Sequence, residues 1–311
     1  MDSNIPVVDC RDFLSEDAGR REKFVETVGE ALIDIGFFAV SHHGIDRDLI
    51  AVAYRKAEEF FLLPTETKKK YERVELQGQR AFISFGREHA KNSSYPDLKE
   101  FWHVGREEFN PQFPPTRYGA NLWPDEVLGF RKTFVELYTQ LENCARQLLE
   151  ACALFLEEPQ LSFSRMTENA DSILRIIHYP PVQERTSSIR AAAHEDINLI
   201  TLLCEATDAG LELLDRNGRW RAIHALKGQI IVDAGDMLQN LTNGIYKSTT
   251  HRVVNPSDVV SRRFSMPFFC HARAECDVGP LASCVAKKGE RLYPTITSGA
   301  YLTQRLNELG L

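Results

Sequence analysis

His194-Glu195-Asp196, answered by a second histidine at His251, constrains this chain more than any other feature. Alternate residues of an extended chain leave on the same face, so His194 and Asp196 can point together while a histidine from a distant segment closes the third corner. Two imidazoles and one carboxylate suit a non-haem Fe(II), holding one face of an octahedron and leaving the other positions open for substrates and oxygen. A His-x-Asp pair is common by chance, so the flanking residues carry the argument. His194 ends the small-residue run Ala191-Ala192-Ala193 and precedes Ile197-Asn198-Leu199-Ile200-Thr201-Leu202-Leu203, an apolar, β-rich segment that reads as a buried strand. His251 follows the Asn243-Gly244 turn and precedes Arg252-Val253-Val254, a second strand signature. Both ends of the site are therefore expected on rigid backbone, as a preorganised metal site requires.

Composition removes several alternatives. The 311 residues suffice for one large domain or two modest ones, and a hydrophobic share of 43% is ample for a packed core. A formal charge of −7 with a pI near 5.8 offers no basic stripe for nucleic acid, and Lys68-Lys69-Lys70 reads as a solvated helix face. No apolar stretch approaches the roughly 18 residues of a membrane span, and Met1-Asp2-Ser3-Asn4 lacks the basic and apolar parts of a secretion signal. No membrane partner is expected, and the expected location is cytoplasmic. The seven cysteines Cys10, Cys144, Cys152, Cys204, Cys270, Cys276 and Cys284 are odd in number and form no CxxC pair, so they read as buried reduced thiols. The residues carry no signal for an oligomeric state.

The pattern along the chain predicts a mixed α+β fold. Phe24, Val25, Val28, Ala31, Leu32 and Ile35 recur at helical spacing, with Gly36 placed to stop that helix before the β-rich Phe37-Phe38-Ala39-Val40. Further helices are expected over 48–63 and 65–71, the latter opened by Pro64. A long one is expected over 125–156, its apolar stripe from Val127 to Phe155 lying against a sheet. Residues 72–120 are rich in glycine, proline and polar residues and read as loops and a hairpin. From residue 173 the texture changes to short strands, expected over 173–179, 197–204, 211–214, 220–223, 229–233, 249–254 and 264–270, with turns at Asn217-Gly218 and Ala234-Gly235-Asp236. Many short strands imply a sandwich, jelly roll or barrel, with the helices as its outer support.

These residues resemble the iron- and 2-oxoglutarate-dependent dioxygenases of the isopenicillin N synthase-like group, over nearly the whole chain. Ile5-Pro6-Val7-Val8-Asp9 and the segment from Gly36 to Ile45 are similar to that group's opening strand and its GFF…NHGI segment. Tyr179-Pro180-Pro181, His194-Glu195-Asp196, Gly210-Leu211-Glu212-Leu213, Asp233-Ala234-Gly235-Asp236, Asn243 to Ser248 and His251-Arg252-Val253 follow in the group's order. The resemblance implies a double-stranded β-helix, or jelly roll, with flanking helices. It implies a single catalytic unit over 1–311: an N-terminal helix and loop region over 1–120, the supporting helix over 125–156 and the jelly-roll core over 173–275. Fe(II) is then expected on His194, Asp196 and His251, and the distal carboxylate of 2-oxoglutarate on Arg263 and Ser265, helped by the Tyr179 hydroxyl. The chemistry agrees, because Arg263 and Ser265 are two apart and a guanidinium fork beside a hydroxyl matches a carboxylate. This chain departs from the group's common pattern at Ile177, where relatives carry Asn, and at Glu195, where Thr is frequent.

The resemblance further implies that 2-oxoglutarate and O2 are consumed, that succinate and CO2 are released, and that a small-molecule substrate is oxidised, with hydroxylation as the expected outcome. Candidate pocket residues are Arg80, Phe82, Phe85, Arg87, Tyr95, Phe269 and Tyr293, each of which reads first as an ordinary loop charge or packed aromatic. His103, His178, His224 and His271 read as structural or exposed, and His42 and His43 as part of the fold-defining segment. The alternative is an iron oxidase of the same fold that does not use 2-oxoglutarate, with Arg263 and Ser265 holding the substrate's own carboxylate. Behind it stand a zinc hydrolase, since the same ligands bind zinc, and a non-catalytic binding module.

Overall fold

The structure, a computed structural model, describes residues 5–76, 78–87, 97–112, 118–181, 190–223, 228–255 and 261–308. Strand β1 (Val7–Asp9) runs into a one-turn helix, α1 (Cys10–Phe13), whose first turn is capped by the Asp9 side chain accepting from Arg11 N–H. Helix α2 (Ala18–Asp34) is capped in the same way by Asp17 and stops before Gly36, which has a φ of +77°. A side chain at Gly36 would also meet the Lys247 carbonyl oxygen at 2.5 Å, so glycine both ends the helix and lets β2 (Phe37–Ser41) start flush against the neighbouring chain. Helices α3 (Arg47–Phe61) and α4 (Thr65–Lys69) follow, the second opened by Pro64 as expected. Strands β3 (Ala81–Ile83) and β4 (Glu100–Val104) form the antiparallel pair anticipated within 72–120.

The long helix α5 (Phe130–Phe155) begins five residues later than its apolar pattern suggested, because Gly129 adopts a φ of +79° and the stretch before it forms turns. The second half then supplies β5 (Ile173–Tyr179), β6 (Ala191–His194), β7 (Ile200–Leu203), β8 (Leu211–Leu214), β9 (Trp220–Ala222) and β10 (Ile230–Ala234). After helix α6 (Asp236–Leu241) come β11 (His251–Val253), β12 (Arg263–Ser265) and β13 (Pro267–Cys270), then helices α7 (Ala282–Lys288) and α8 (Ser298–Glu308). The run expected as one strand over 264–270 is thus two, separated at Met266. Both pair with β5, so the break lets one chain segment follow two stretches of the same neighbour.

Two sheets result among the described residues. The larger has the order β1-β2-β10-β7-β13-β5-β4-β3, with β12 also on β5; only β1 and β2 run parallel. The smaller has the antiparallel order β6-β11-β8-β9. The two-residue period of each strand decides which face meets what. Phe38, Val40, Val232, Leu202, Phe268, Leu174, Ile176 and Trp102 project to one side and join the core formed with α2, α3 and α5. Phe37, Ala39 and Ile231 project to the other side and pack against Ala191, Leu211, Leu213 and Val253 of the smaller sheet. The large sheet therefore carries helices on its back and the small sheet on its front. No helix among the described residues is long and apolar enough to cross a membrane.

Phe60 ties the helical layer to the sheet. Its ring centroid lies 4.9 Å from Trp102, 5.7 Å from Phe82 and 5.8 Å from Phe130, and it is completely buried. Edge-to-face packing of this kind adds to area burial. Phe60→Ala is expected to cost about 3–5 kcal/mol, read as a lowered urea midpoint with an unchanged slope.

Candidate metal and cosubstrate site

His194 is the last residue of β6 and His251 the first of β11, and the ladder sets them directly opposite each other, ring centroids 4.5 Å apart. Asp196 lies just past the end of β6. Its Oδ1 is 3.7 Å from His194 Nε2 and 3.8 Å from His251 Nε2. The three ligand atoms all fall within 4.8 Å of one another, and this is the only such cluster among the described residues. Each imidazole is oriented through its far nitrogen: His194 Nδ1 bonds Ala192 O at 2.7 Å and His251 Nδ1 bonds Thr249 O at 3.1 Å. A carbonyl can only accept, so Nδ1 carries the proton and both Nε2 lone pairs are free for a metal. The Thr201 hydroxyl donates to Asp196 Oδ2, leaving Oδ1 for the ion. The donor set and its orientation thus fit Fe(II).

The carboxylate is held from behind. Asp236 N–H donates to Asp196 O at 2.7 Å and Gly235 N–H to Leu199 O at 2.9 Å, so the start of α6 clasps the turn that carries Asp196. This is what Ala234-Gly235-Asp236 does; it is a helix entrance rather than the plain turn expected from its composition. A Cβ on Gly235 would sit 2.2 Å from Asn198 O. Asp233 lies opposite Thr201 across the ladder, and burial, then the nearby Asp196 charge, pushes its carboxyl well above the usual range.

Arg263, Ser265 and Tyr179 are brought together by register. In the β12–β5 ladder Arg263 faces Tyr179 and Ser265 faces Ile177. The β5–β13 and β13–β7 ladders place Ile173, Phe269 and Thr201 in one row, so Tyr179, an even number of residues along β5, emerges on the same front face from which Thr201 reaches Asp196. The Arg263 guanidinium lies 5.1 Å from the Tyr179 ring centroid, its Nε donates to Asp208 O at 3.0 Å, and the residue is 2% exposed. Its Nη1 is buried without a hydrogen-bond partner, an opening for an acceptor such as a carboxylate. Ile177 packs with Phe101 and Tyr179 and offers no polar contact.

Several residues of this face were not singled out by sequence reasoning. Arg175, on β5 with Ile177 and Tyr179, lies over Phe101 at 4.3 Å and Phe269 at 5.2 Å from their centroids, and its Nε donates to His103 Nε2 at 2.6 Å. His103 accepts there, so its Nδ1–H donates to Gly78 O at 2.5 Å. Asp97 Oδ1 accepts from Ala192 N–H at 3.1 Å while its Oδ2 pairs with Lys99 at 2.9 Å, a buried ion pair that anchors β6 two residues before His194. The alternation of β5 in Ile173-Leu174-Arg175-Ile176-Ile177 would have disclosed Arg175, since a charge on an apolar strand needs a reason.

Of the pocket candidates, Phe269 faces this interior. Arg80 and Phe82 do not: Arg80, just before β3, is fully buried against Gly105, and Phe82 on β3 belongs to the Phe60 cluster on the helical side. Arg87 pairs with Glu72 at 3.5 Å on the surface, Phe85 is exposed, and Tyr293 packs near Gly244. Tyr95 and His224 lie outside the described residues. Glu195 receives a hydrogen bond from Thr250, next to His251, and so braces the two histidine strands. His178 is structural, bonded to Glu100 at 2.9 Å and stacked on Phe264. His43 Nδ1 accepts from Ile45 N–H within its own turn.

Among the described residues, three candidate metal ligands at two paired strand ends share the front face with a buried guanidinium that has an unpartnered N–H, the arrangement of an enzyme able to take up a metal and an anionic cosubstrate. Residues 5–126 match the profile of the non-haem dioxygenase in morphine synthesis N-terminal family, and residues 170–272 that of the 2OG-Fe(II) oxygenase superfamily. The chain belongs to the 2-oxoglutarate–Fe(II) oxygenase superfamily, whose cosubstrates are 2-oxoglutarate and O2. It is 32% identical to a 2-oxoglutarate-Fe(II) type oxidoreductase of Aspergillus fumigatus, over 85% of this chain and 81% of that protein. It is 31% identical to the oxidoreductase hxnY of Emericella nidulans, over 94% and 86%. Among solved structures, a 2OG-Fe(II) oxygenase family protein from Caulobacter crescentus superposes with a TM-score of 0.87 at 37% identity, covering 99% of both chains. A full-length Neurospora crassa protein, solved in complex with α-ketoglutarate and thymine, superposes with a TM-score of 0.87 at 28% identity, covering 97% of this chain and 96% of that one.

Two outcomes follow from the packing around the ligands. Gly235→Ala is expected to displace the Asn198 backbone and with it Asp196, weakening Fe(II) affinity at least about tenfold, as measured by anaerobic metal titration of the folded variant. His271 is buried, and burial pushes its imidazole down to about 4. Its neutral form is the one folded around, so the stability it contributes is full above pH about 6.5 and is lost as pH falls toward 4, on the order of 3 kcal/mol. Denaturant midpoints measured across that range should fall less steeply in His271→Gln.

Proposed function

We propose that His194, Asp196 and His251 hold the iron and that Arg263, Ser265 and Tyr179 receive the distal carboxylate of 2-oxoglutarate. In this reading the two facing sheets form a double-stranded β-helix of the isopenicillin N synthase-like type, and the chain works as a single catalytic unit. The observation that carries the cosubstrate assignment is the Arg263 guanidinium, buried across the ladder from Tyr179 with Nη1 unpartnered. With iron bound, the site supplies O2 activation coupled to decarboxylation of 2-oxoglutarate, releasing succinate and CO2. The chain's own residues orient and enclose: the two carbonyls aim the imidazoles, Thr201 holds Asp196, and Arg263 fixes the far end of the cosubstrate.

The substrate is a small molecule, oxidised in the simplest case by hydroxylation. Arg175, held between Phe101 and Phe269, gives the front face a cation walled by aromatic rings. Such a surface suits a compact, planar molecule that presents a carbonyl or carboxylate group. The thymine complex of the Neurospora crassa protein is in keeping with that class.

Anaerobic titration of the Fe(II)-loaded protein with 2-oxoglutarate tests the assignment. A weak visible charge-transfer band is expected in the wild type and absent in Asp196→Ala, which should not retain iron. Arg263→Ala should weaken 2-oxoglutarate binding by on the order of 2–4 kcal/mol through loss of a charge-assisted contact. Iron binding without a band would favour an oxidase in which Arg263 holds the substrate's own carboxylate, and absence of succinate release would establish it.

A further inference from the structure

Arg190 immediately precedes β6, the strand that ends at His194. Its side chain is fully buried, and its Cζ lies 5.8 Å from the Tyr179 ring centroid, against 5.1 Å for Arg263, so two guanidinium groups flank the same phenol. Arg190 Nη2 donates to Ser261 O at 2.7 Å and Nη1 lies 3.4 Å from Asp208 Oδ2. The backbone oxygen of that same Asp208 takes the Nε of Arg263. Asp208 is thus the single carboxylate paired with Arg190 among the described residues, through a long hydrogen bond and with a side chain 36% exposed. Arg190 Nε and Arg263 Nη1 are both buried without a partner.

Among the described residues, two buried cations share one partly exposed carboxylate and keep two unpaired N–H groups, a surplus of about one positive charge. Burying such a surplus is costly unless an anion completes it. Burial, and then the neighbouring Arg263 charge, lower the pKa of Arg190. A single carboxylate brings the missing charge and enough lone pairs for both orphaned donors.

We propose that Arg190 is a second guanidinium of the cosubstrate site and binds the distal carboxylate of 2-oxoglutarate together with Arg263. This rests on the assignment of Arg263 made above. Arg190 then links cosubstrate recognition to the metal directly, since it stands four residues before His194 on the same short segment. It also makes the site selective for dicarboxylic keto acids, because a keto acid with an apolar tail would leave Arg190 Nε and Arg263 Nη1 without an acceptor.

Binding of 2-oxoglutarate and of 2-oxovalerate, which has the same chain length without the distal carboxylate, separates this role from a merely structural one. Both are titrated anaerobically into Fe(II)-loaded protein and followed by the charge-transfer band and by calorimetry. Arg190→Gln is expected to weaken 2-oxoglutarate at least about tenfold while leaving 2-oxovalerate within about twofold, and Arg190→Lys to recover part of the loss. Equal weakening of both acids, or unchanged 2-oxoglutarate affinity, overturns the proposal. Should Arg190→Gln not fold, Arg190→Lys decides alone: loss confined to 2-oxoglutarate supports the role, and no selective loss overturns it. A wild type that fails to prefer 2-oxoglutarate over 2-oxovalerate would instead overturn the Arg263 assignment, whereas a preference kept intact in the variant removes Arg190 only.

Discussion

The cross-strand pairing of His194 with His251 is the contact on which the rest of the arrangement depends. Neither β6 nor β11 is long enough to be stable alone; each is held by its ladder and by the apolar contacts that join the two sheets. Because the two histidines sit opposite each other at strand ends, the separation of the imidazoles is set by backbone hydrogen bonding. Asp196 is then positioned by groups that come from elsewhere: Thr201 on its side chain and the opening of α6 on its backbone. The candidate metal site is in this sense a consequence of sheet closure.

Charge is used sparingly behind that site. Lys68, Glu100 and His178 form a buried, mutually bonded group on the back of the same strands that present Tyr179 and Arg263 on the front. Asp97 with Lys99 does a similar job for β6. Paired and hydrogen-bonded in this way, buried charges fix register more than they add stability. Among the described residues, the Arg190–Arg263 pair departs from this, sharing one carboxylate, Asp208, at the place proposed to receive an anion.

Much of the fold was legible because its signals are local. Gly36, Pro64 and the alternation of 173–179 depend on neighbouring residues alone, and the elements they mark are found where expected. The three metal-ligand candidates are brought together as their pattern suggested: the two-residue spacing of His194 and Asp196 was visible locally, and His251 from its own strand signature. What was not legible depends on long-range pairing. The division of 264–270 follows from both halves docking on β5, and no pattern within the segment announces it. Arg80 read as a pocket residue because it is charged and lies in a loop-rich stretch, yet it is fully buried against Gly105 just before β3. Glu195 could be placed only once Thr250 was known to lie across from it. Arg190 was passed over because a lone arginine carries no motif; its meaning, like that of Arg175, comes from the rings and charges that topology brings beside it.

Strand β5 carries Arg175, Ile177 and Tyr179 on one face and is bonded along its length by β4 on one side and by β12 and β13 on the other. It therefore acts as a fixed ruler between the surface proposed to meet the substrate and the one proposed to meet the cosubstrate, about 13 Å apart along the backbone. A shift of one residue would turn all three side chains to the helical side at once. Change of substrate in this scaffold can proceed by resizing the side chains on the ruler or the loops at its ends, and not by moving the graduations.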